Sequence, residues 1–412
     1  MKKYILIILC CLTSFPLWSY NVNMIVEHYS VDQGLPNNTV NCTLKDRDGF
    51  IWFGTWYGLC CFDGVKFKTF NKQEHDSDVP PRKIQRIVED KNGYIWVKTI
   101  DRKLYVFNKV TECFHAVYDD MKNYSENIQV IKLQNTAEGD VLLLTKDKNL
   151  LLAGVDEKGQ VTIKILFDSR DEINKHDYTL KHHVLCETEE YISWIGTDYK
   201  VSAVHKGAEL ASRPADFITS KINSGDKDSF TSFFEDGRKV WVGDRAGIFY
   251  SIDVRTGLVN RYVLSEIKGA ISNLLVTPAG YVYLSVAGQG TYEYDLAERR
   301  LQKINTEMND AMVTHAFIDQ YDKIWFHENE KALIYYDPLN HTAKRFPFTM
   351  FGKITTLYSE DAGERGLFFL SPAGEAWLFD REHVEMVYIN KLKQLSNDRA
   401  NQQFYHLMLD ND

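Results

Sequence analysis

The stretch 45-KDRDGFIWFGTWYGLCCFDG-64 decides the fold. It holds an acidic turn with Gly49, an aromatic run, a turn with Gly58, a second apolar run and another acidic-Gly turn. Such short connections are hairpin chemistry, because Gly takes positive φ without strain and Asp tolerates it. The reading is a set of short antiparallel strands: 39-TVNCTLK-45 (a), 50-FIWFGT-55 (b), 59-LCCF-62 (c) and 65-VKFKTF-70 (d). A close copy returns at 89-EDKNGYIWVKTIDRKLYVFN-108.

With Trp52 as a ruler, equivalent positions follow at Trp96, Leu142, Trp194, Trp241, Tyr283, Trp325 and Phe368. The spacings are 44, 46, 52, 47, 42, 42 and 43 residues, a period of propeller blades. The apolar residues come in short alternating or continuous runs bounded by Gly, Asp and Asn, not at helical spacing. One such unit cannot bury both its faces, so the units must stack. The fold class is all-β, a β-propeller of four-stranded antiparallel blades. Seven blades followed by the start of a second propeller is the favoured geometry, and a single eight-bladed ring is the alternative.

The bulk numbers narrow the function. The 412-residue chain carries 48 basic and 57 acidic residues, a net charge of −9, without long basic runs. A nucleic-acid surface needs clustered positive charge, so no nucleic-acid partner is expected. Lys2 and Lys3 before the short apolar run Ile5 to Leu12 read as a secretory signal peptide over residues 1–20. Cleavage after Ser19 is favoured over a lipid anchor at Cys10 or Cys11. No later run is long and apolar enough to span a membrane. Five cysteines remain: Cys42, Cys60, Cys61, Cys113 and Cys186. Buried free thiols are the main reading, and a disulfide from Cys42 to Cys60 or Cys61 is the alternative. Without a CxxC pair, no structural zinc is expected.

The pattern GLPNNTV…DRDGFIWFGTWYGL…FDG resembles the two-component regulator propeller repeat. The resemblance runs over residues 25 to 412, is most specific in the first unit and is eroded in the third, fourth and eighth. It implies the periplasmic sensor region of the hybrid two-component systems of gut Bacteroidetes, whose members resemble one another in two propellers, a β-sandwich, a membrane helix, a kinase, a receiver and a DNA-binding part. It also implies a glycan-derived oligosaccharide as ligand, control of polysaccharide utilisation, and a homodimer. The segment 401-NQQFYHLMLDND-412 matches the start of a further unit, which reads as an N-terminal fragment of such a sensor. The expected domains are a first propeller over 21–348 and the opening blades of a second over 349–412. The segment 25-IVEHYS-30 is expected to complete the last blade of the ring as its outer strand.

Strand polarity puts the d–a connectors and b–c turns on one face of the disc and the a–b and c–d turns on the other. The a–b turns are short and formulaic, hence structural. The d–a connectors are long and varied, and variable loops on a rigid scaffold are where binding lives. The ligand-binding candidates are b–c turn residues: Trp56, Tyr57, Arg102, Tyr199, Arg245, Gln289 and Glu328. Trp56 and Tyr57 would offer an aromatic platform to a sugar ring, against the plainer reading that they pack on a neighbouring connector. No HExxH, GxSxG or phosphate-binding glycine loop is present, so no catalytic residue, metal or cofactor is assigned. His315 is the main polar residue inside a strand-a segment, read as a satisfied core histidine. A secreted propeller glycosidase or lyase is the second reading, which requires carboxylates converging in the channel. An inactive scaffold or gene remnant is the third.

Overall fold

The computed structural model describes residues 29–70, 80–122, 129–146, 149–167, 180–187, 190–196, 201–207, 215–216, 230–304, 313–328, 331–351, 358–361, 366–371 and 375–391. The signal segment, residues 25–28, Tyr199, much of the long d–a connectors and the stretch 401–412 lie outside these. Within them the chain forms eight four-stranded sheets, each in the order a-b-c-d with every neighbouring pair antiparallel. The first is Val40–Lys45, Ile51–Thr55, Gly58–Phe62 and Phe67–Phe70. The eighth is Tyr358–Asp361, Leu367–Leu370, Glu375–Asp380 and Glu385–Lys391. The all-β propeller architecture read from the repeat is the one observed.

Among the described residues, six a–b turns are each closed by their first side chain. Asp46 accepts the backbone N–H groups of Asp48 and Phe50 on Oδ1 and the indole N–H of Trp52 on Oδ2, at 2.7 Å. The same double use recurs at Asp90 with Trp96, Asp236 with Trp241 and Asp319 with Trp325. Where strand b has no Trp, the turn residue changes too. Thr136 precedes Leu142 and Thr277 precedes Tyr283, and each Thr hydroxyl still closes its turn. Tyr283 instead donates to the buried Glu293 at 2.8 Å, which also accepts from Tyr336 of the next blade at 3.2 Å. Among these six turns the carboxylate occurs only where strand b has an indole to satisfy.

The core lies between sheets. Trp52 and Phe70 of the first pack on Ile95 and Phe107 of the second, and Trp96 of the second packs on Leu143 of the third. The series continues through Leu142 on Ile192, Ala203 on Tyr250, Trp241 on Leu284 and Tyr283 on Phe326. At the seventh junction Trp325 meets Phe369 and Phe379, the latter with ring centroids 4.6 Å apart. This repeats the first junction, where Trp52 meets Phe107 at 5.5 Å. Packing therefore continues through Phe348, which sits in the short 3-10 turn Phe348–Phe351.

Six strands a carry a one-residue register shift near their start, opposite the end of strand b. The extra residue is Asn41, Gln85, Ile131, Thr231, Ser272 or Thr314. A bulge frees its side chain to reach sideways. Asn41 Nδ2 donates to Ile84 O at 2.7 Å, and Thr231 Oγ1 to Ile271 O at 2.8 Å. Both acceptors are the first residue of the next blade's strand a, so the strands a form the inner wall. The bulge also corrects the reading of His315. It is exposed, not a core residue, and lies directly opposite His327. His327 is the partly buried partner, within 2.9 Å of Thr314 Oγ1 through Nδ1. Burial first, then His315, pushes its pKa below the ordinary histidine value.

Cys42, Cys60, Cys61 and Cys113 are free thiols, of which Cys42 and Cys60 are buried as the main reading has it and Cys61 and Cys113 only partly, and the Cys42 pairing of the alternative is not formed. Burial pushes the pKa of Cys42, Cys60 and Cys61 up to about 12.

Candidate functional site

The b–c turns and d–a connectors share one face, and backbone bonds stitch them together. Lys83 N donates to Trp56 O at 2.9 Å, Ile100 N to Lys83 O at 2.9 Å, and Val130 N to Arg102 O at 2.9 Å. The first b–c turn is fixed further from within. Thr55 Oγ1 donates to Gly58 O and accepts from Tyr57 N, while Trp56 N donates to Thr39 O. The turn therefore holds its two aromatic side chains out on rigid backbone. Tyr57 is 57% exposed and Trp56 37%. Lys83 Nζ stands 5.2 Å from the centre of the Trp56 ring, a cation–π contact that takes part of that platform.

Beside the turn lies a cleft of about 630 Å³ lined by Pro36, Tyr57, Thr69, Pro80 and Arg82. Tyr57 is the candidate it includes. The others named from the sequence are placed differently. Arg102 and Arg245 are exposed on their b–c turns, Arg102 in the left-handed region at φ 67°. Gln289 is committed to its own connector, accepting Lys268 N at 2.7 Å and donating to Glu266 O at 3.1 Å. Glu328 is buried and holds Arg345, whose Nε and Nη2 both lie at 3.0 Å. Tyr199 falls outside the described residues. The cleft's Pro36, Thr69 and Arg82 were not singled out beforehand, since they meet Tyr57 only through the fold. Arg82 does lie in a connector flagged for its variety.

Acidic residues gather on the opposite face. Asp46, Asp48 and Glu89 lie close enough to share a cation. Their centre is taken by Lys109 Nζ, at 3.0, 2.7 and 2.8 Å respectively. Burial opposes this ammonium, but the bonds to Asp48, Glu89 and Asp46 outweigh it and hold its pKa above the usual lysine range. The arrangement is a lock between the a–b turns of blades one and two and the c–d turn of blade two.

Residues 34–57 match the sequence model of the two component regulator propeller family. The matched segment runs from Gly34 through strands a and b of the first blade to Tyr57, at the edge of the cleft. Similar solved structures include the extracellular domain of a putative one-component system from B. thetaiotaomicron. It is 14% identical over 87% of this chain and 61% of that one, with a TM-score of 0.38. The extracellular domain of a putative hybrid two-component system from the same organism is 15% identical over 89% of this chain and 55% of that one, with a TM-score of 0.37. The Dos1 propeller is 13% identical over 82% and 90%, with a TM-score of 0.49. No curated protein matches the chain. The chain thus spans 61% and 55% of the length of the two B. thetaiotaomicron domains. Strands a and b of the first blade thus match the two component regulator propeller repeat, and the chain is similar to extracellular domains of putative one- and two-component systems.

Proposed function

We propose that the protein is a non-enzymatic, periplasmic ligand-sensing module of a hybrid two-component regulator, and that its ligand is a glycan-derived oligosaccharide. The observation that carries this reading is the family match at residues 34–57, which ends on the exposed Trp56–Tyr57 turn beside the cleft. Exposed aromatic rings on rigid backbone suit the apolar face of a sugar, and the polar Thr69 and Arg82 suit its hydroxyl groups. Signalling requires that ligand favour one arrangement of the sensor over another. A homodimer and control of polysaccharide-utilisation genes belong to the same proposal. The test is calorimetric titration of the full chain with a panel of oligosaccharides, with product analysis on the same samples. Binding without turnover supports the sensor. Turnover moves the protein to the glycosidase or lyase reading.

A further inference from the structure

Blade two carries a lysine at a strand-b position that varies between blades. Two residues after the ruler position, strand b has Gly54 in blade one and Gly243 in blade five, each backed by an isoleucine of the next blade, and Leu144, Ser285 or His327 in blades three, six and seven. In blade two it is Lys98, which is 5% exposed. Lys98 lies directly opposite Arg86 on strand a, so the two side chains share a face. Its Nζ donates to Gln85 Oε1, the bulge residue. Arg102 stands on the b–c turn that strand b leads into. Like charges directly opposite in an antiparallel pair repel, and a buried ammonium is costly without a paired anion.

The described residues supply no such anion. Among the described residues, no carboxylate bonds Arg86, Lys98 or Arg102. The acid next to Arg102, Asp101, is engaged by Thr99 Oγ1 and by Lys103 at 3.4 Å. Burial lowers the pKa of Lys98, and Arg102 and Arg86 lower it further. The protein as a whole carries an excess of acid, −9, so this concentration of base is not a spill-over from a basic surface. Asn41, whose amide binds the carbonyl of Ile84, closes the blade-one side of the group.

We propose that Arg86, Lys98 and Arg102 form an anion site at the channel mouth of blade two, and that it receives the carboxylate or sulfate group of an acidic sugar. The sugar assignment rests on the sensor reading, whereas the anion site stands on geometry alone. Two guanidinium forks and one point charge would hold such a group, with the Gln85 amide as a neutral donor. The bound anion would turn the repulsion between Arg86 and Lys98 into shared attraction.

The test uses the full chain at low ionic strength. Thermal unfolding is followed with sodium sulfate, sodium acetate and, at matched ionic strength, sodium chloride. Calorimetry then compares an oligogalacturonide and a sulfated disaccharide with a neutral galacto-oligosaccharide. Sulfate or acetate is expected to raise Tm where chloride does not, and an acidic sugar to bind at least tenfold more tightly than the neutral one. Lys98→Met should abolish the anion response while its ligand-free form unfolds no earlier than the wild type, because the buried repulsion is gone. Arg102→Ala, at an exposed turn, should weaken binding tenfold or more without affecting folding. An equal response to chloride, or a sulfate response undiminished in both variants, overturns the site. Simple anions binding while every sugar stays silent keeps the site and overturns its assignment to a sugar. Binding of the neutral sugar alone overturns the site and leaves the sensor reading in place.

Discussion

At the scale of single residues, Asp46, Asp90, Asp236 and Asp319 each close a turn and satisfy an indole. Replacing Asp90 by Thr copies the turn of blade three but leaves the Trp96 N–H without its acceptor, since Trp96 is fully buried. The expected cost is about 2 kcal/mol in urea unfolding. Combining it with Trp96→Leu should cost about 1–3 kcal/mol less than the sum of the two single changes, because the orphaned N–H is removed. Strict additivity would mean that the pairing is incidental. Asp46 also sets an acid limit for its blade. Burial acts to raise the Asp46 pKa, but the bonds from Trp52, Lys109 and Phe50 N outweigh it and the net shift is downward. A carboxylate with a depressed folded pKa contributes stability above its unfolded value, about 3.9. That contribution is lost as pH falls through the depressed value. Trp52 fluorescence should therefore hold steady from neutral pH to about pH 4 and change below it. On the opposite face, Trp56→Ala should leave folding intact and weaken sugar binding by about fivefold, the loss of about 1 kcal/mol of ring stacking. Unchanged affinity would remove Trp56 from the site.

At the scale of elements, the contacts between neighbouring blades hold the molecule together. A Cβ added to Gly243 would lie 2.5 Å from Ser232 Oγ and 2.8 Å from Ile271 Cγ2. Gly243→Ala should cost about 1–3 kcal/mol through overpacking at the junction of blades five and six. The Lys109 lock makes a different prediction. Lys109→Met leaves three carboxylates within reach of one another, one of them wholly buried. The variant should lose about 3 kcal/mol and regain part of it with calcium chloride, whereas the wild type should show no gain. Much of this level was legible in the sequence. The observed strands of blade one start and end within two residues of those read from the turns, because Gly and Asp mark hairpin ends. The bulges were not legible. An added Asn41 or Thr314 is a polar residue near a strand start, which alternation alone reads as a strand end, and the phase slip it causes is what moved His315 out to solvent. The cleft was legible only in Tyr57, since Thr69 and Arg82 join it from other strands and connectors.

At the scale of the whole molecule, the ruler of Trp52 and its equivalents located all eight sheets, because the large residue on strand b is the one that packs on the next blade. The ruler says nothing about where a ring closes. The seventh sheet turns Trp325, Tyr335 and Phe346 onto the eighth. A chain ending at residue 348 would expose that face, so it should unfold at a lower temperature than the full chain and aggregate. An unchanged Tm would instead favour a ring complete by Phe348.

The Asp–Trp pair bears on how such a repeat can drift. A blade that trades Asp and Trp for Thr and Leu must pass through an intermediate holding one half of the pair. That intermediate carries either a buried indole with nothing to accept its proton or a carboxylate whose Oδ2 has lost its indole donor while Oδ1 still holds the turn. Each path therefore crosses a valley of roughly 1–3 kcal/mol, in a fold whose neighbours depend on that blade. Blades three and six lie on the far side of that valley, and blade six arrived with Tyr283 and Glu293 as a replacement bond. In blades three and six, turn and core residue have thus changed together, as one unit of inheritance.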